Sequence, residues 1–167
     1  MGAEEHRKRA MRNVRCAVIT VSDTRSKEND DSGREIISIL GAYGHPIVRY
    51  EIIKDEPSQI SDVMRQCIED LQIQAVIFNG GTGITSRDNT IETLSDFSEK
   101  QLPGFGELFR MLSYEEIGAA AMLSRAMAFV VEKKMVFCLP GSTAAVKLAT
   151  EKLIAPELGH LFSEATR

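Results

Sequence analysis

The sequence lacks the residue spacings that indicate zinc, thiolate or histidine-based chemistry. Its three cysteines, Cys16, Cys67 and Cys138, form no C-x-x-C pair and stand alone in apolar surroundings, which predicts reduced, buried thiols. Its three histidines show no H-E-x-x-H or other ligand spacing, so a zinc site or a catalytic triad has no local support. His45, in a Gly-His-Pro turn, and His160 are predicted to lie on the surface.

Long apolar runs and biased composition are also absent. The longest apolar runs, such as 127–131, fall far short of the ~18 residues that a membrane span needs, and no charged and apolar leader opens the chain. With 43% hydrophobic residues, 26% charged residues and only 5 prolines, the composition excludes disordered, collagen-like and disulfide-scaffold classes. The 167 residues therefore predict one compact domain of a cytoplasmic protein.

Excess positive charge is missing except at the start of the chain. The 20 Lys and Arg against 24 Asp and Glu give a net charge of −4, which argues against whole-surface binding to nucleic acid or anionic membranes. Within the first 15 residues, five basic residues against two acidic ones leave a local +3. We predict a basic, frayed arm over 1–13 and a single domain over 14–167. An anion-binding or subunit-clasping arm is the alternative.

Apolar runs alternate with helical spacing along the chain, which is typical of parallel α/β folds. Strands are predicted over 14–21, 47–54, 75–78, 126–131 and 135–139, the last two joined by a tight link. Helices are predicted over 33–42, from Pro57, from Asn89 or Thr90, over 102–117, from Thr143 through Ile154, and over 156–165. This order predicts a mostly parallel sheet with right-handed crossovers and helices on both faces.

Two loops of small residues lie where an α/β sheet binds its ligand, beyond the carboxyl ends of its strands. The first contains Gly80, Gly81, Thr82 and Gly83, and the second contains Pro140, Gly141, Ser142 and Thr143. Small residues let backbone N–H groups approach an anion, and the dipole of a following helix favours negative charge. Both loops are therefore predicted phosphate cradles.

The familiar phosphate motifs do not account for these loops. No Gly-Lys pair occurs, which excludes the Walker A loop. The dinucleotide fingerprint begins at Gly81 and Gly83 but meets Ser86 where a third small apolar residue belongs, so support for a dinucleotide site is weak. A phosphoacceptor receiver domain would need an aspartate at the end of the third strand, where this chain has Asn79.

Five aspartates lie at or just after predicted strand ends: Asp23, Asp30, Asp31, Asp55 and Asp88. Two or three of them could converge on Mg²⁺, which binds through one or two carboxylates plus substrate phosphates. With the glycine loops, they favour phosphate-group chemistry, which depends mainly on positioning and charge neutralisation. Each also has a local interpretation, because Asp88 can cap a helix, Asp55 can start one, and Asp23 and Asp31 can form turns.

Capping and surface charge are the further local interpretations. Asp88 is followed by Glu92 at the spacing of a capping box. The cations close to these loops are interpreted as solvated surface charges; they are Arg25, Arg87 and Lys147.

The segment 80–90 resembles the signature of the molybdopterin-binding MoaB/MogA family, G-G-T-G followed by R-D-x-T. The resemblance extends over most of the chain, from Val14 to about Phe162. Its other segments are T-V-S-D at 20–23 with D-S-G at 31–33, D-E at 55–56, L-P-G-F-G-E at 102–107, L-S-R at 123–125 and L-P-G-S at 139–142.

The resemblance implies a three-layer α/β/α sandwich that assembles as a trimer or hexamer, with other molybdenum cofactor biosynthesis proteins as possible partners. It also implies binding of molybdopterin and transfer of AMP from Mg-ATP to its terminal phosphate, with release of pyrophosphate. Position by position, it gives Asp55 and Asp88 catalytic and metal-binding roles. It places Ser22, Asp23, Gly80, Gly81, Thr82, Gly83, Pro140, Gly141 and Ser142 in the binding site.

The end of the chain distinguishes two hypotheses within this resemblance. Ser142 and Thr143 after the Pro-Gly pair, and the short tail beyond Phe162, resemble the MoaB branch rather than the longer MogA branch. The first hypothesis is a molybdopterin adenylyltransferase. The second is a protein that binds and delivers the pterin without turnover.

Overall fold

The computed structural model describes residues 13–167, so the predicted basic arm lies, apart from its last residue, outside the described residues. The strands are β1 (Cys16–Val21), β2 (Ile47–Ile53), β3 (Ala75–Asn79), β4 (Lys100–Gln101), β5 (Met127–Val131) and β6 (Lys134–Leu139). The helices are α1 (Asp31–Ala42), α2 (Pro57–Glu69), α3 (Thr90–Ser95), α4 (Pro103–Ile117), α5 (Thr143–Ala149) and α6 (Ala155–Ala165). A 3₁₀ segment (Gly118–Leu123) follows α4, and a π-helical turn (Thr150–Ile154) joins α5 to α6.

The six strands form one sheet in the order β2-β1-β3-β6-β5-β4. The first four strands in this order are parallel, whereas β5 runs antiparallel to β6 and to β4. The turn between β5 and β6 is as tight as predicted, because Glu132 and Lys133 both adopt positive φ. Among residues 13–167, none of the helices has both the length and the apolar character that a membrane span requires.

Two separate apolar cores cover the two faces of the sheet, which confirms the three-layer sandwich. The larger core packs α1, α4, α5 and α6 on one face, with residues such as Ile36, Phe109 and Leu158 fully buried. The smaller core packs α2 and α3 on the other, around Ile60 and Leu94. Because β1, β3 and β6 are covered on both faces, they are nearly continuous apolar runs, whereas the edge strand β2 is half-buried and contains Arg49 and Glu51.

The topology places a crevice between β1 and β3. These strands are neighbours, but the chain leaves β1 for α1 on one face and leaves β3 for α3 on the opposite face. The loops at their carboxyl ends therefore diverge, and such a switch point is where open α/β sheets bind ligands. The loop after β6 borders the same crevice.

Three details differ from the predictions. Helix α1 begins two residues earlier, because the Asp30 side chain accepts a hydrogen bond from the Gly33 N–H (3.1 Å) and caps the helix. The two-residue strand β4 and the 3₁₀ segment were not predicted, since neither has a regular apolar pattern. The break predicted near Pro156 is absent, because the π-helical turn carries α5 directly into α6, where Pro156 lies in the first turn.

The prediction that His45 lies on the surface is wrong. The residue is 4% exposed, and its Nδ1 accepts a hydrogen bond from the Val14 N–H (3.1 Å). Its Nε2 lies 3.2 Å from the Ala155 carbonyl oxygen, to which it donates. These partners select the neutral tautomer with the proton on Nε2, and burial lowers the pKa of His45. His45 therefore joins the entry of β1 to the start of α6.

Candidate functional site

A cleft of about 420 Å³ opens at the switch point, between the loops that follow β1, β3 and β6. We call it the central cleft. Most of the predicted binding residues line it, namely Ser22, Gly80, Gly81, Thr82, Gly83, Asp88, Pro140 and Gly141. The remaining wall comes from Val21, Thr24, Arg25, Leu123 and Ser124.

The three loops approach so closely that side chains are excluded from the floor of the cleft. Gly80 has φ +95°, and a Cβ at this position would lie 2.2 Å from the Val21 carbonyl oxygen. A Cβ on Gly141 would lie 3.1 Å from the Gly80 Cα. Glycine is required at position 80 for both backbone conformation and space, so backbone atoms rather than side chains form this surface.

All four carbonyl oxygens of the glycine loop 80–83 accept hydrogen bonds from Thr90 or Arg125. Thr90 donates its hydroxyl to the Gly80 oxygen (2.9 Å) and its N–H to the Gly81 oxygen (3.0 Å). Arg125 donates from Nε to the Thr82 oxygen (2.9 Å) and from its guanidinium NH₂ to the Gly83 oxygen (2.7 Å). In a trans peptide the C=O and N–H point in opposite directions, so these contacts turn the loop's N–H groups away from Thr90 and Arg125.

Asp88 occupies one end of this loop. Its Oδ2 accepts hydrogen bonds from the Thr85 hydroxyl (2.7 Å) and the Thr85 N–H (3.0 Å). The Thr85 hydroxyl bond is the main reason that the pKa of Asp88 is lowered, and the backbone N–H groups of Thr85 and Gly83 add to it. Asp88 is thus a carboxylate at the cleft wall. The capping hypothesis is wrong, because Asn89 holds the cap position of α3 and Glu92 pairs with Arg125.

Asp55 lies behind the glycine loop rather than at the wall of the cleft. It is 6% exposed, and a Cβ on Gly81 would lie only 2.5 Å from its Oδ2. Its Oδ1 accepts a hydrogen bond from the Asn89 N–H (3.2 Å). Burial raises the pKa of Asp55, and the nearby charges of Asp88 and Asp23 act in the same direction. The structure therefore brings Asp55 and Asp88 to opposite sides of one loop.

Asp23 and Ser142 hold the edges of the site. Asp23 accepts the Asp55 N–H (3.1 Å) and two hydrogen bonds from Arg87 (2.9 and 3.2 Å), and the Arg87 contact lowers the pKa of Asp23. Arg87 also donates to Glu56 (2.8 Å). Ser142 caps α5 by accepting the Ala145 N–H (3.2 Å), and it does not line the central cleft.

Arg25 lies at the wall of the central cleft, whereas the sequence interpretation made it a solvated surface charge. Its guanidinium donates to the Gly141 carbonyl oxygen (3.0 Å) and to the Ser32 hydroxyl, and lies 3.6 Å from the carboxylate of Asp30. Asp30 is fully buried. Burial opposes its ionisation, but hydrogen bonds from Thr20 and from other donors outweigh burial, so the pKa of Asp30 is lowered. A fixed buried anion thus holds Arg25 at the cleft wall.

Arg125 is the second residue whose position at the site was not predicted, although the Leu-Ser-Arg segment that contains it is part of the family resemblance. Its role depends on contacts with residues more than 30 positions away, which no local spacing indicates. Within the described part of the chain, no group of three or more His, Cys, Asp or Glu side chains is arranged to hold a metal ion. A cation here would need ligand phosphates to complete its coordination.

The fold and the cleft define a three-layer α/β/α protein with a glycine loop at its switch point and the carboxylates of Asp55 and Asp88 beside that loop. The family described as "Probable molybdopterin binding domain" matches residues 17–160. The chain therefore belongs to this molybdopterin-binding family, which includes the molybdenum cofactor biosynthesis proteins B.

Relatives match along almost their whole length. "Molybdenum cofactor biosynthesis protein B" of Bacillus subtilis (strain 168) is 53% identical over 166 residues, which cover 98% of this chain and 97% of the relative. A crystal structure of a molybdenum cofactor biosynthesis protein B superposes with a TM-score of 0.90 at 48% identity, covering 93% of this chain and 97% of the other. The tungsten cofactor synthesizing protein MoaB from Pyrococcus furiosus gives 0.86 at 38% identity, with coverages of 95% and 100%.

Proposed function

We propose that this protein acts in molybdenum cofactor biosynthesis, as an enzyme that binds molybdopterin and transfers AMP from Mg-ATP to its terminal phosphate. The observation that carries the proposal is the glycine loop 80–83. Its four carbonyls are bonded by Thr90 and Arg125. The Gly80 N–H donates to the Leu139 carbonyl (3.0 Å) and the Gly83 N–H to Asp88, so the N–H groups of Gly81 and Thr82 are the ones this loop offers to an anion in the central cleft. A terminal phosphate is the part of molybdopterin that fits such donors.

In the transfer, an oxygen of the pterin's phosphate attacks the α-phosphorus of ATP. The bond from that phosphorus to the oxygen bridging to the β-phosphorus breaks, and pyrophosphate leaves with the bonding electrons. The chain contributes positioning and charge: loop N–H groups and Arg25 hold phosphate oxygens, while Gly141 closes the floor. Such preorganised donors are the main source of rate in phosphoryl-type transfers.

The Asp88 carboxylate of this site fits a magnesium ion that arrives with its nucleotide. Asp88 stands at the cleft wall and ionises readily, and Asp55 lies on the other side of the same loop. One or two carboxylates are what a protein usually offers Mg²⁺ beside substrate phosphates. The ion would neutralise charge on the triphosphate.

Pyrophosphate release from purified protein with molybdopterin, Mg²⁺ and ATP tests the proposal. Because Asp88→Asn removes the ionised carboxylate at the wall, we expect the rate to fall by about 100-fold or more, with molybdopterin still bound. Asp55→Asn should also lower the rate, whereas Asp96→Asn, at the exposed residue that follows α3, should not. Wild-type rates in both Asp55→Asn and Asp88→Asn would exclude the roles assigned to these residues.

A non-catalytic pterin-binding protein is the second candidate, and one observation favours it. Asp55 is buried behind the loop, and its raised pKa opposes the charged form that a metal needs. This candidate predicts tight binding of molybdopterin and no pyrophosphate at saturating ATP. Measurable turnover would exclude it.

Self-association is part of the proposal. The outer face of α4 and the following 3₁₀ segment expose large apolar side chains: Leu108, Met111, Tyr114, Ile117, Met122 and Leu123. Apolar surfaces of this kind mark protein interfaces. Leu123 also lines the central cleft, so a trimer or hexamer built on this face would bring a neighbouring subunit to its rim.

A further inference from the structure

Strand β2 lies at one edge of the sheet and has a strand neighbour, β1, on one side only. The Ile53 oxygen accepts the Ser22 N–H (2.8 Å), so the backbone of Ile53 faces β1. Because successive residues of a strand face alternate sides, the N–H and C=O groups of Ile52 and Tyr50 point outward. Among residues 13–167, no other backbone group bonds to them, and Val48 adds an exposed apolar side chain to this edge. An edge of this kind can accept a further strand.

The sequence of β2, I-V-R-Y-E-I-I, is self-complementary about its middle residue, Tyr50. When two copies of β2 run antiparallel with Tyr50 opposite Tyr50, apolar residues lie opposite apolar residues, and Arg49 of each copy lies opposite Glu51 of the other. Since Tyr50 faces outward, the two tyrosines form a hydrogen-bonded pair. Arg49 and Glu51 then form the non-hydrogen-bonded pairs, in which side chains approach more closely. Opposite charges directly across two strands stabilise their pairing.

The same two charges specify the register of this pairing. A shift by one residue would place an outward-facing residue opposite an inward-facing one, and the hydrogen bonds between the strands would be lost. A shift by two residues would place Arg49 opposite Arg49, or Glu51 opposite Glu51, of the other copy. Like charges directly opposite each other destabilise a strand pair. The register centred on Tyr50 therefore matches both the backbone and the charges.

The side chains that would meet across this edge are already held in place within one chain. Arg49 donates from Nε to Glu51 (3.1 Å) and from Nη2 to Gln66 (2.7 Å). The Arg49 and Glu51 side chains are 23% and 39% exposed, so both are accessible to a second copy. On the opposite face of the strand, the Tyr50 hydroxyl donates to the buried Asp30 (2.6 Å). Fixed side chains lose little freedom when a partner arrives.

From this pattern we infer that the β2 edge binds a second copy of this chain, antiparallel and centred on Tyr50. The contact is isologous, because the same residues act on both sides. It is separate from the proposed interface on α4, which packs over β5 toward the other edge of the sheet. With a trimer on the α4 face, closed association through β2 gives a hexamer. The inference does not depend on the proposed adenylyl transfer.

Sedimentation equilibrium of the full chain tests the inference by mass. Arg49→Glu places two carboxylates opposite each other on both sides of Tyr50 and should halve the mass of the wild-type assembly, as should Glu51→Arg with two guanidinium groups. An equimolar mixture of the two variants restores opposite charges across the strands and should regain the full mass. The charge-swapped Arg49→Glu/Glu51→Arg should also have the full mass.

The matched control is Arg65→Glu, which reverses an exposed charge on the part of α2 near the Phe97 ring and should leave the mass unchanged. Urea unfolding checks that each variant is folded. Full mass in Arg49→Glu alone would mean that the charges only protect the edge, and would overturn the inference.

Two further outcomes would also reject it. If the mixture of folded variants does not regain the full mass, the pairing at Tyr50 is wrong, because a role of these residues within one chain is not restored by a second chain. A wild type with an odd number of subunits would reject any pairing of β2 edges. That result would leave the α4 interface and the proposed activity standing.

Discussion

Several decisive side chains of this protein bond to backbone groups far away in sequence. Arg125 holds two carbonyls of the glycine loop, and His45 links the Val14 N–H to the Ala155 carbonyl. Because every residue except proline supplies the same backbone N–H and C=O groups, such a contact mainly constrains the residue that provides the side chain. Its effect is therefore open to single substitutions.

The free energy of unfolding should fall at acid pH in part because of His45. Its pKa is lowered in the folded protein by burial, whereas in the unfolded chain it titrates near ~6.5. Its contribution to stability is therefore complete above about pH 6.5 and is lost as pH falls from there toward the lowered folded value. Urea unfolding between pH 8 and pH 5 should show this loss.

Substitution separates His45 from the carboxylates that also titrate at low pH. His45→Gln should be less stable at pH 8 but should lose less stability than the wild type between pH 8 and pH 5.5. Leu71→Gln, at an exposed leucine, adds no titratable group and is the control that should keep the wild-type slope. An unchanged slope in His45→Gln would contradict the neutral, buried assignment.

At the scale of elements, the glycine loop depends on its close approach to β1. Gly80→Ala forces a Cβ to within 2.2 Å of the Val21 carbonyl oxygen at a φ of +95°. We expect a loss of about 3 kcal/mol in the free energy of unfolding, from backbone strain and overpacking together. Gly104→Ala, in the first turn of α4, is the matched control, since its Cβ meets nothing within 4 Å. Equal stability of the two variants would disprove the close packing of these loops.

The π-helical turn between α5 and α6 contains a buried hydroxyl whose substitution should change the stability of the protein. The Thr150 hydroxyl is fully buried and has no hydrogen-bond partner among residues 13–167. An unpaired buried hydroxyl costs free energy, so Thr150→Val should stabilise the protein by about 1 kcal/mol. Thr150→Ser keeps the hydroxyl and loses a methyl group, and should destabilise by a similar amount. Thermal unfolding measures both, and a less stable Thr150→Val would mean that the hydroxyl is bonded.

At the scale of the whole molecule, the exposed apolar face of α4 is the proposed subunit interface. Met111 and Tyr114 are 54% and 63% exposed on this face. Sedimentation velocity should show a trimer or hexamer for the wild type, and Met111→Lys/Tyr114→Lys should shift it toward the monomer, because two charges oppose burial of the face. Leu71→Lys, at an isolated exposed leucine, should leave the assembly unchanged. A monomeric wild type would contradict the proposed interface.

The alternation of apolar runs with helical spacing predicted the sandwich correctly because the central parallel strands β1, β3 and β6 are covered on both faces. The wrong sequence predictions share one cause: the residues concerned show no local sequence pattern that indicates their structure. Strand β4 has two exposed residues, and the π-helical turn continues the helix through the point where Pro156 predicted a break. His45 was misplaced because a Gly-His-Pro turn does not indicate which partners lie around it.

The sequence by itself determined the fold class, the family and the loops that form the site, because these depend on periodicity and on contiguous motifs. Only the tertiary structure decided which side of the glycine loop each carboxylate occupies, since Asp55 and Asp88 are 33 positions apart and meet through packing. The same holds for Arg25, whose placement depends on the buried charge of Asp30 and on the Gly141 carbonyl from a distant loop. Long-range contacts of this kind produce no recognisable spacing of residues in the sequence. They place charged residues, which the sequence alone assigns to the surface, at the wall of the candidate site.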